Sequence, residues 1–202
     1  NRRQTLDLAS LALLACVLGI AACEKPYVET LQLSAEQGSA QPHLASSAYG
    51  EVVLSWLTTR EHETTLYFST LEADGWSDPA KVASGSDWFV NWADFPSVQP
   101  ITENLWAAHW LVKNAEPIFA YDVAVSLSHD GGLNWGPPIT PHNDGTPTEH
   151  GFATLFALED QPALIWLDGR QMAAGHGRAS AGPMTLRGTL LHTDQQAAAT
   201  QI

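Results

Sequence analysis

The sequence predicts an all-β fold of the propeller type, and three observations lead there. A segment pattern recurs about every 55 residues, its apolar positions alternate by two, and its strands are rich in Val, Thr, Tyr, Trp and Phe. The landmarks are Leu54-Ser55-Trp56-Leu57, Ala108-His109-Trp110-Leu111 and Leu164-Ile165-Trp166-Leu167. Trp110 follows Trp56 by 54 positions, and Trp166 follows Trp110 by 56. Helical repeats would instead space apolar residues three and four apart.

Each copy then yields its elements in order. Fourteen positions before the tryptophans stand Pro42, Pro96 and Phe152. From there to the Trp each copy reads as strand, turn, strand, with turns at Tyr49-Gly50, Glu103-Asn104 and Glu159-Asp160. Third strands are expected over residues 65–69, 122–128 and 184–191. A fourth is expected over 80–83 in the first copy and near 138–140 in the second. Four antiparallel strands repeated at this period make propeller blades. The tail from Gln195 to Ile202 carries no strand pattern.

The N-terminus reads differently. Arg2 and Arg3 precede an apolar run, Leu8 to Ala22, that is short for a membrane span and ends in Ile20-Ala21-Ala22-Cys23. Residues 1–23 resemble a bacterial lipoprotein signal, which implies acylation of Cys23. Residues 24–35 are then a linker, and the propeller occupies 36–202. Cys16 falls within the signal, so the mature domain has no intrachain disulfide and no thiol chemistry. Glu24, rather than Asp, follows the anchor, which points to the outer membrane of a bacterial cell envelope.

Composition narrows the function. The 202 residues are 45% hydrophobic, enough for a core of ordinary size. Acidic residues outnumber basic ones 22 to 9, for a net charge of −13, so binding to nucleic acid through phosphates is excluded. Eight Trp in a Gly- and Pro-punctuated β chain suit both core filling and ligand-facing aromatics.

The stretch Ser128-His129-Asp130-Gly131-Gly132-Leu133-Asn134-Trp135 follows the third strand of the second copy. Ser128, Asp130, Gly132 and Trp135 occupy the four positions of the Asp-box, and the chain thereby resembles the sialidase-like, BNR-repeat propellers. The resemblance implies a structural hairpin on the blade rim, with Trp135 packing between sheets. It also implies six blades, of which about three four-stranded ones lie in this chain. A degenerate copy is expected at Ser69 to Trp76, which keeps the seven-residue spacing. The implied activity is exo-α-sialidase or related glycoside hydrolysis on sialylated or related glycans. The alternative is a non-catalytic cell-surface propeller that binds glycan or protein.

Two departures from the family weigh against a complete sialidase site. No Arg-Ile-Pro opens the first blade, where Gln41-Pro42-His43 stands instead. The family's tyrosine nucleophile and third arginine would fall in later blades. Candidate site residues come from the long links before inner strands and from the loops after second strands. Sixteen positions before each Trp lie Ala40, Asp94 and His150, with Glu149 beside the last. Asp94 and Glu149 are the candidate catalytic acid and base, because glycoside hydrolysis needs two carboxyl groups; they equally suit turn caps. Arg170, and less closely Arg60, match the position of a carboxylate-binding arginine. Asp168 with Arg170 equally suits a local turn pair. His150 and Trp92 complete the expected substrate-binding set. The expectation is that Asp94, Glu149, His150 and Arg170 converge at one mouth, opposite the Asp130 turn, with Trp88 or Trp92 near. No cofactor and no metal are implied; His142, Asp144, Glu149 and His150 form only a weak grouping of ligand types. Partners are therefore a glycan or protein ligand at the mouth, and a membrane through the lipid anchor alone.

Overall fold

The structure, a computed structural model, describes residues 30–174, 182–192 and 200–201. The expected signal segment and Cys23 lie outside the described residues. The described residues from Gln32 onward form one compact unit. Within it the three sequence copies fold as three antiparallel sheets.

The first sheet holds β1 (Ser39–Ser46), β2 (Val52–Arg60), β3 (Glu63–Glu72), the two-residue β4 (Gly75–Trp76) and β5 (Ala80–Gly85). The second holds β6 (Ser97–Pro100), β7 (Trp106–Lys113) and β8 (Tyr121–Ser128), and its expected fourth strand shrinks to one bridge, Val125 with Ile139. The third holds β9 (His150–Leu158), β10 (Gln161–Asp168), β11 (Thr185–Leu190) and β12 (Thr200–Gln201). A single 3-10 turn, Arg170–Ala174, follows β10. The expectation that the tail lacks a strand is corrected at its end, where β12 pairs with Arg187 and Gly188.

Period-two alternation explains how the sheets stack. In β7, Trp106, Ala108 and Trp110 face a core shared with Val53, Leu57 and Phe68 of the first sheet. The alternate residues Ala107 and Leu111 face a second core with Leu155, Leu164 and Trp166 of the third sheet. The middle sheet is thus buried on both faces, and its strands lack the polar side seen on a solvated sheet. Trp56, Trp110 and Trp166 occupy equivalent places in the second strands, two residues beyond the pairs Leu54–Ser69, Ala108–Ser126 and Leu164–Thr189.

Register corrects two sequence alignments. In the first and third sheets two residues face one tryptophan, because Ala40 pairs Leu57 while His43 pairs Ser55, and Gly151 pairs Leu167 while Thr154 pairs Ile165. These bulges put Gln41 and Phe152 at φ of 55° and 50°. Gly151, not His150, is therefore the counterpart of Ala40. The supposed degenerate box is also displaced. Ser69 matches Ser126, not Ser128, and both donate across their hairpins, to Ser77 O and Gly136 O at 2.7 Å each.

The complete box forms the expected hairpin. Asp130 accepts bonds from Ser128 Oγ at 2.8 Å, the Asn134 backbone N–H at 2.8 Å and Asn134 Nδ2 at 2.7 Å. Those donors hold its carboxyl below the usual range. Gly132 has φ of 87°, and a Cβ there would press on Phe68 and Trp106. Trp135 meets Phe68 edge-on at 6.2 Å, so it bridges the first and second sheets.

Candidate functional site

The links before β6 and β9 and the ends of β7 and β10 meet at one end of the sheets. The Asp130 turn lies at the far end of β8, whose eight residues span roughly 23 Å at about 3.3 Å each.

The first link is pinned to β7. Phe89 N–H donates to Leu111 O at 3.0 Å, Lys113 N–H donates to Asp87 O at 2.9 Å, and Trp88 stacks on Trp110 at 5.1 Å. Trp88 is thus a core residue. Trp92, four positions on, is 88% exposed, while Asp94 turns inward and is 4% exposed. Asp94 Oδ2 accepts the Phe152 N–H at 2.7 Å, across to the next sheet. Burial pushes the Asp94 carboxyl up, the N–H groups of Phe152 and Ala153 counter this, and Glu149 adds a further upward push.

Glu149 is fixed from two sides. Its backbone carbonyl accepts the Gly169 N–H at 2.8 Å, and its Oε1 accepts the Tyr121 hydroxyl at 2.6 Å. Tyr121 is buried and stacks on Phe89 at 4.0 Å. Burial, then Glu149, pushes its phenol pKa up, so the proton stays on the phenol, which donates a hydrogen bond to the carboxylate. Sequence reasoning missed Tyr121 because it reads as an ordinary first residue of a strand. Gly151 sits between these groups. A Cβ there would collide with Asp94 Oδ2 and lie 2.7 Å from Tyr121 Cε2 and 3.1 Å from its hydroxyl.

A second polar cluster adjoins it. Arg170 grips Asp168 with two parallel bonds of 2.6 Å, Nε to Oδ1 and Nη2 to Oδ2, and its Nη2 lies 3.1 Å from Asp144 Oδ2. Trp166 Nε1 donates to Asp168 Oδ2 at 2.9 Å, and Arg187 Nε lies 3.5 Å from it. Asp168 is fully buried. Burial opposes its ionisation, but Arg170 and Trp166 outweigh that and hold its pKa at about 2. Arg170 is therefore committed within the protein, as in the turn-pair alternative. His150 is fully buried too and stacks on His142 at 4.0 Å. Arg60 ends β2, is well exposed and pairs with Glu36, apart from both clusters.

Asp94, Glu149, His150 and Arg170 thus all belong to the same end, opposite the Asp130 turn. Trp92 is exposed and Glu149 half-buried; Asp94 and His150 are buried and Arg170 is engaged. Asp122 and Arg187 also escaped notice, although a charge within an otherwise apolar strand was the signal available.

Two triads, Asp122–His142–His150 and Asp144–His150–Asp168, have possible ligand atoms within 4.8 Å of one another. Neither makes a chelating set as it stands. The two imidazoles lie nearly parallel, 16° apart, so one ion cannot lie along both in-plane lone pairs. The other triad already faces the guanidinium of Arg170. Glu149, in the weak sequence grouping, is turned toward Tyr121 instead.

No protein-family model and no curated protein sequence matches the chain. Solved structures do. The GH93 α-L-arabinofuranosidase of Fusarium graminearum, solved with arabinobiose, is similar at a TM-score of 0.52 and 14% identity, over 80% of this chain and 50% of that one. The polysaccharide lyase Uly1 is similar at 0.51 and 14%, over 79% of this chain and 40% of that one. The chain spans half the length of the first protein and two fifths of the second. The likeness shows an all-β fold of the kind found in glycoside hydrolases.

Proposed function

We propose that this chain is part of a glycoside-hydrolase-type propeller that binds glycan at the mouth, with Glu149 as the ligand-facing carboxylate and Trp92 as its aromatic platform. The observation that carries the reading is a carboxylate oriented by a buried phenol, with a freely exposed indole on the link whose Asp94 bonds the strand after Glu149. A carboxylate accepts sugar hydroxyls, and an indole covers the apolar face of a sugar ring. Both proteins of like fold are carbohydrate-active enzymes, which supports the reading by analogy. In a catalytic form, Asp94 with its raised pKa is the proton donor and Glu149 the base.

Sialidase-like hydrolysis is the narrower reading, supported by the Asp-box. It needs a guanidinium free to grip the sugar carboxylate, and Arg170 is committed to Asp168 and Asp144. That commitment favours a neutral, hydroxyl-rich sugar. The burial of Asp94 favours the second reading, binding without turnover.

Calorimetric titration of the full chain with neutral and sialylated oligosaccharides tests this. Trp92→Ala should weaken binding of a neutral oligosaccharide roughly tenfold, about 1.4 kcal/mol, at an unchanged melting temperature. Equal affinity in Trp92→Ala and Glu149→Gln removes the site.

We further propose that Cys23 is acylated and anchors the protein at the bacterial outer membrane. Expression of the full chain with radiolabelled palmitate should label the wild type and not Cys23→Ser. Label in both, or in neither, overturns the anchor.

A further inference from the structure

The seam between the second and third sheets encloses seven ionisable side chains that the glycan-binding reading does not use. His142 and His150 stack with ring centroids 4.0 Å apart. Two carboxylates clamp opposite edges of the stack. Asp122 Oδ1, from β8, lies 3.2 Å from His150 Nδ1 and 3.6 Å from His142 Nε2. Asp144 Oδ2, from the link, lies 3.0 Å from His142 Nδ1 and 3.3 Å from His150 Nε2. Asp168 Oδ1, ending β10, lies 3.9 Å from His150 Nε2. Arg170 and, from β11, Arg187 face the same carboxylates. Glu149 precedes His150 but bonds Tyr121 instead.

Charge gives the number of excess protons on the imidazole pair, and the hydrogen-bonding pattern gives their place. By charge, three carboxylates and two guanidiniums leave one negative charge, which one imidazolium cancels, in a site open to solvent only at the Asp122 and Arg170 edges. By hydrogen bonding, every ring nitrogen faces only acceptors. His150 Nδ1 is 3.2 Å from Thr148 O and 3.3 Å from Tyr121 O, so it carries hydrogen. His142 Nδ1 carries one toward Asp144. Neither Nε2 makes a hydrogen bond, so distance decides: the one lone pair left by a single extra proton belongs at His142 Nε2, 3.6 Å from Asp122, and the hydrogen at His150 Nε2, 3.3 Å from Asp144.

We propose that the stacked His142–His150 pair carries a single excess proton, one imidazolium against one neutral ring, and that this proton locks the seam between the second and third sheets. The proposal stands apart from the glycan-binding reading, since it is read by titration and unfolding rather than by ligand. His150 is the cationic ring: burial works against its charge, but Asp122, Asp144 and Asp168 outweigh it and raise its pKa. His142 is the neutral ring, lowered by burial and then by His150. The signs follow. Stability from the His150 proton is complete below the unfolded value of 6.5 and fades as pH rises through the higher folded value. For His142 the unfolded chain takes up a proton first, so stability declines as pH falls from 6.5 toward the lower folded value. The seam is most stable near the singly protonated state.

Ring-resolved NMR titration of the full chain, assigned with His→Gln variants, tests this. The His150 ring should titrate above pH 6.5 and the His142 ring below it. Arg187→Gln removes one positive charge from the cluster and should shift the His142 midpoint upward. Melting temperature against pH should peak near 6.5 and drop by several degrees on either side. His142→Phe keeps a stacked ring and should flatten the acid limb relative to wild type; His43 and His109, both lowered by burial, contribute to that limb in both proteins and cancel in the difference. Both rings titrating together near 6.5, both neutral throughout, or a His142 midpoint unmoved by Arg187→Gln overturns the proposal. The wild-type titration decides the matter even where His142→Phe does not fold.

Discussion

Asp168→Ala is expected to lower stability by roughly 3–5 kcal/mol, the range for breaking a buried ion pair from one side. Asp168 is fully buried and receives both prongs of Arg170, the Trp166 N–H and the Arg170 backbone N–H. Its loss leaves a partly buried guanidinium with only Asp144 and leaves the indole N–H without an acceptor. Asp168 and Trp166 belong to β10, Arg170 to the following turn and Arg187 to β11, so the third sheet loosens at the mouth. Urea unfolding at neutral pH measures the loss, and a change below about 1 kcal/mol shows that Asp144 alone satisfies Arg170. The same group sets an acid limit. Its folded pKa, about 2, lies below the unfolded value of 3.8. Its contribution is therefore complete above 3.8 and disappears as pH falls through about 2. Asp168→Asn should remove that part of the acid transition while keeping an acceptor for Trp166.

Gly151→Ala is expected to cost roughly 1–3 kcal/mol and to abolish whatever the mouth binds. Gly151 is not in the left-handed region, so backbone strain plays no part; the effect is steric. The added methyl meets Asp94 Oδ2 and the Tyr121 ring on one side of β9. Asp94 must then release the Phe152 N–H, or Tyr121 must release Glu149. Either movement uncouples the links that position the site. Circular-dichroism melting combined with glycan titration separates the two effects. Full stability with full binding in Gly151→Ala shows that the strand opening is looser than its contacts indicate.

Much of the fold was legible because it is local. Alternation by two along each strand, and the recurrence of Trp56, Trp110 and Trp166, are properties of consecutive residues. They fix three antiparallel units and assign each tryptophan to a second strand. The Ser128–Trp135 box was equally legible, because its carboxylate bonds lie within four residues. Spacing misled where a bulge intervened. Two residues facing one tryptophan shift the register, so counting back from Trp166 reached His150 instead of Gly151. Ser69 and Trp76 matched the box by spacing, yet cross-strand pairing put Ser69 opposite Leu54, in the place of Ser126.

By itself the sequence determined that Asp94, Glu149, His150 and Arg170 share one end, since strand direction and loop order suffice for that. It could not determine which of them are free. That depends on partners 28 to 58 residues away, Tyr121 for Glu149 and Phe152 for Asp94. Even the neighbouring pair Asp168 and Arg170 left the choice open, because a guanidinium two residues from a carboxylate can face it or face solvent. Only the tertiary structure decided it: packing of the sheets buried Asp168, and a buried carboxylate holds its arginine where an exposed one would surrender it to water.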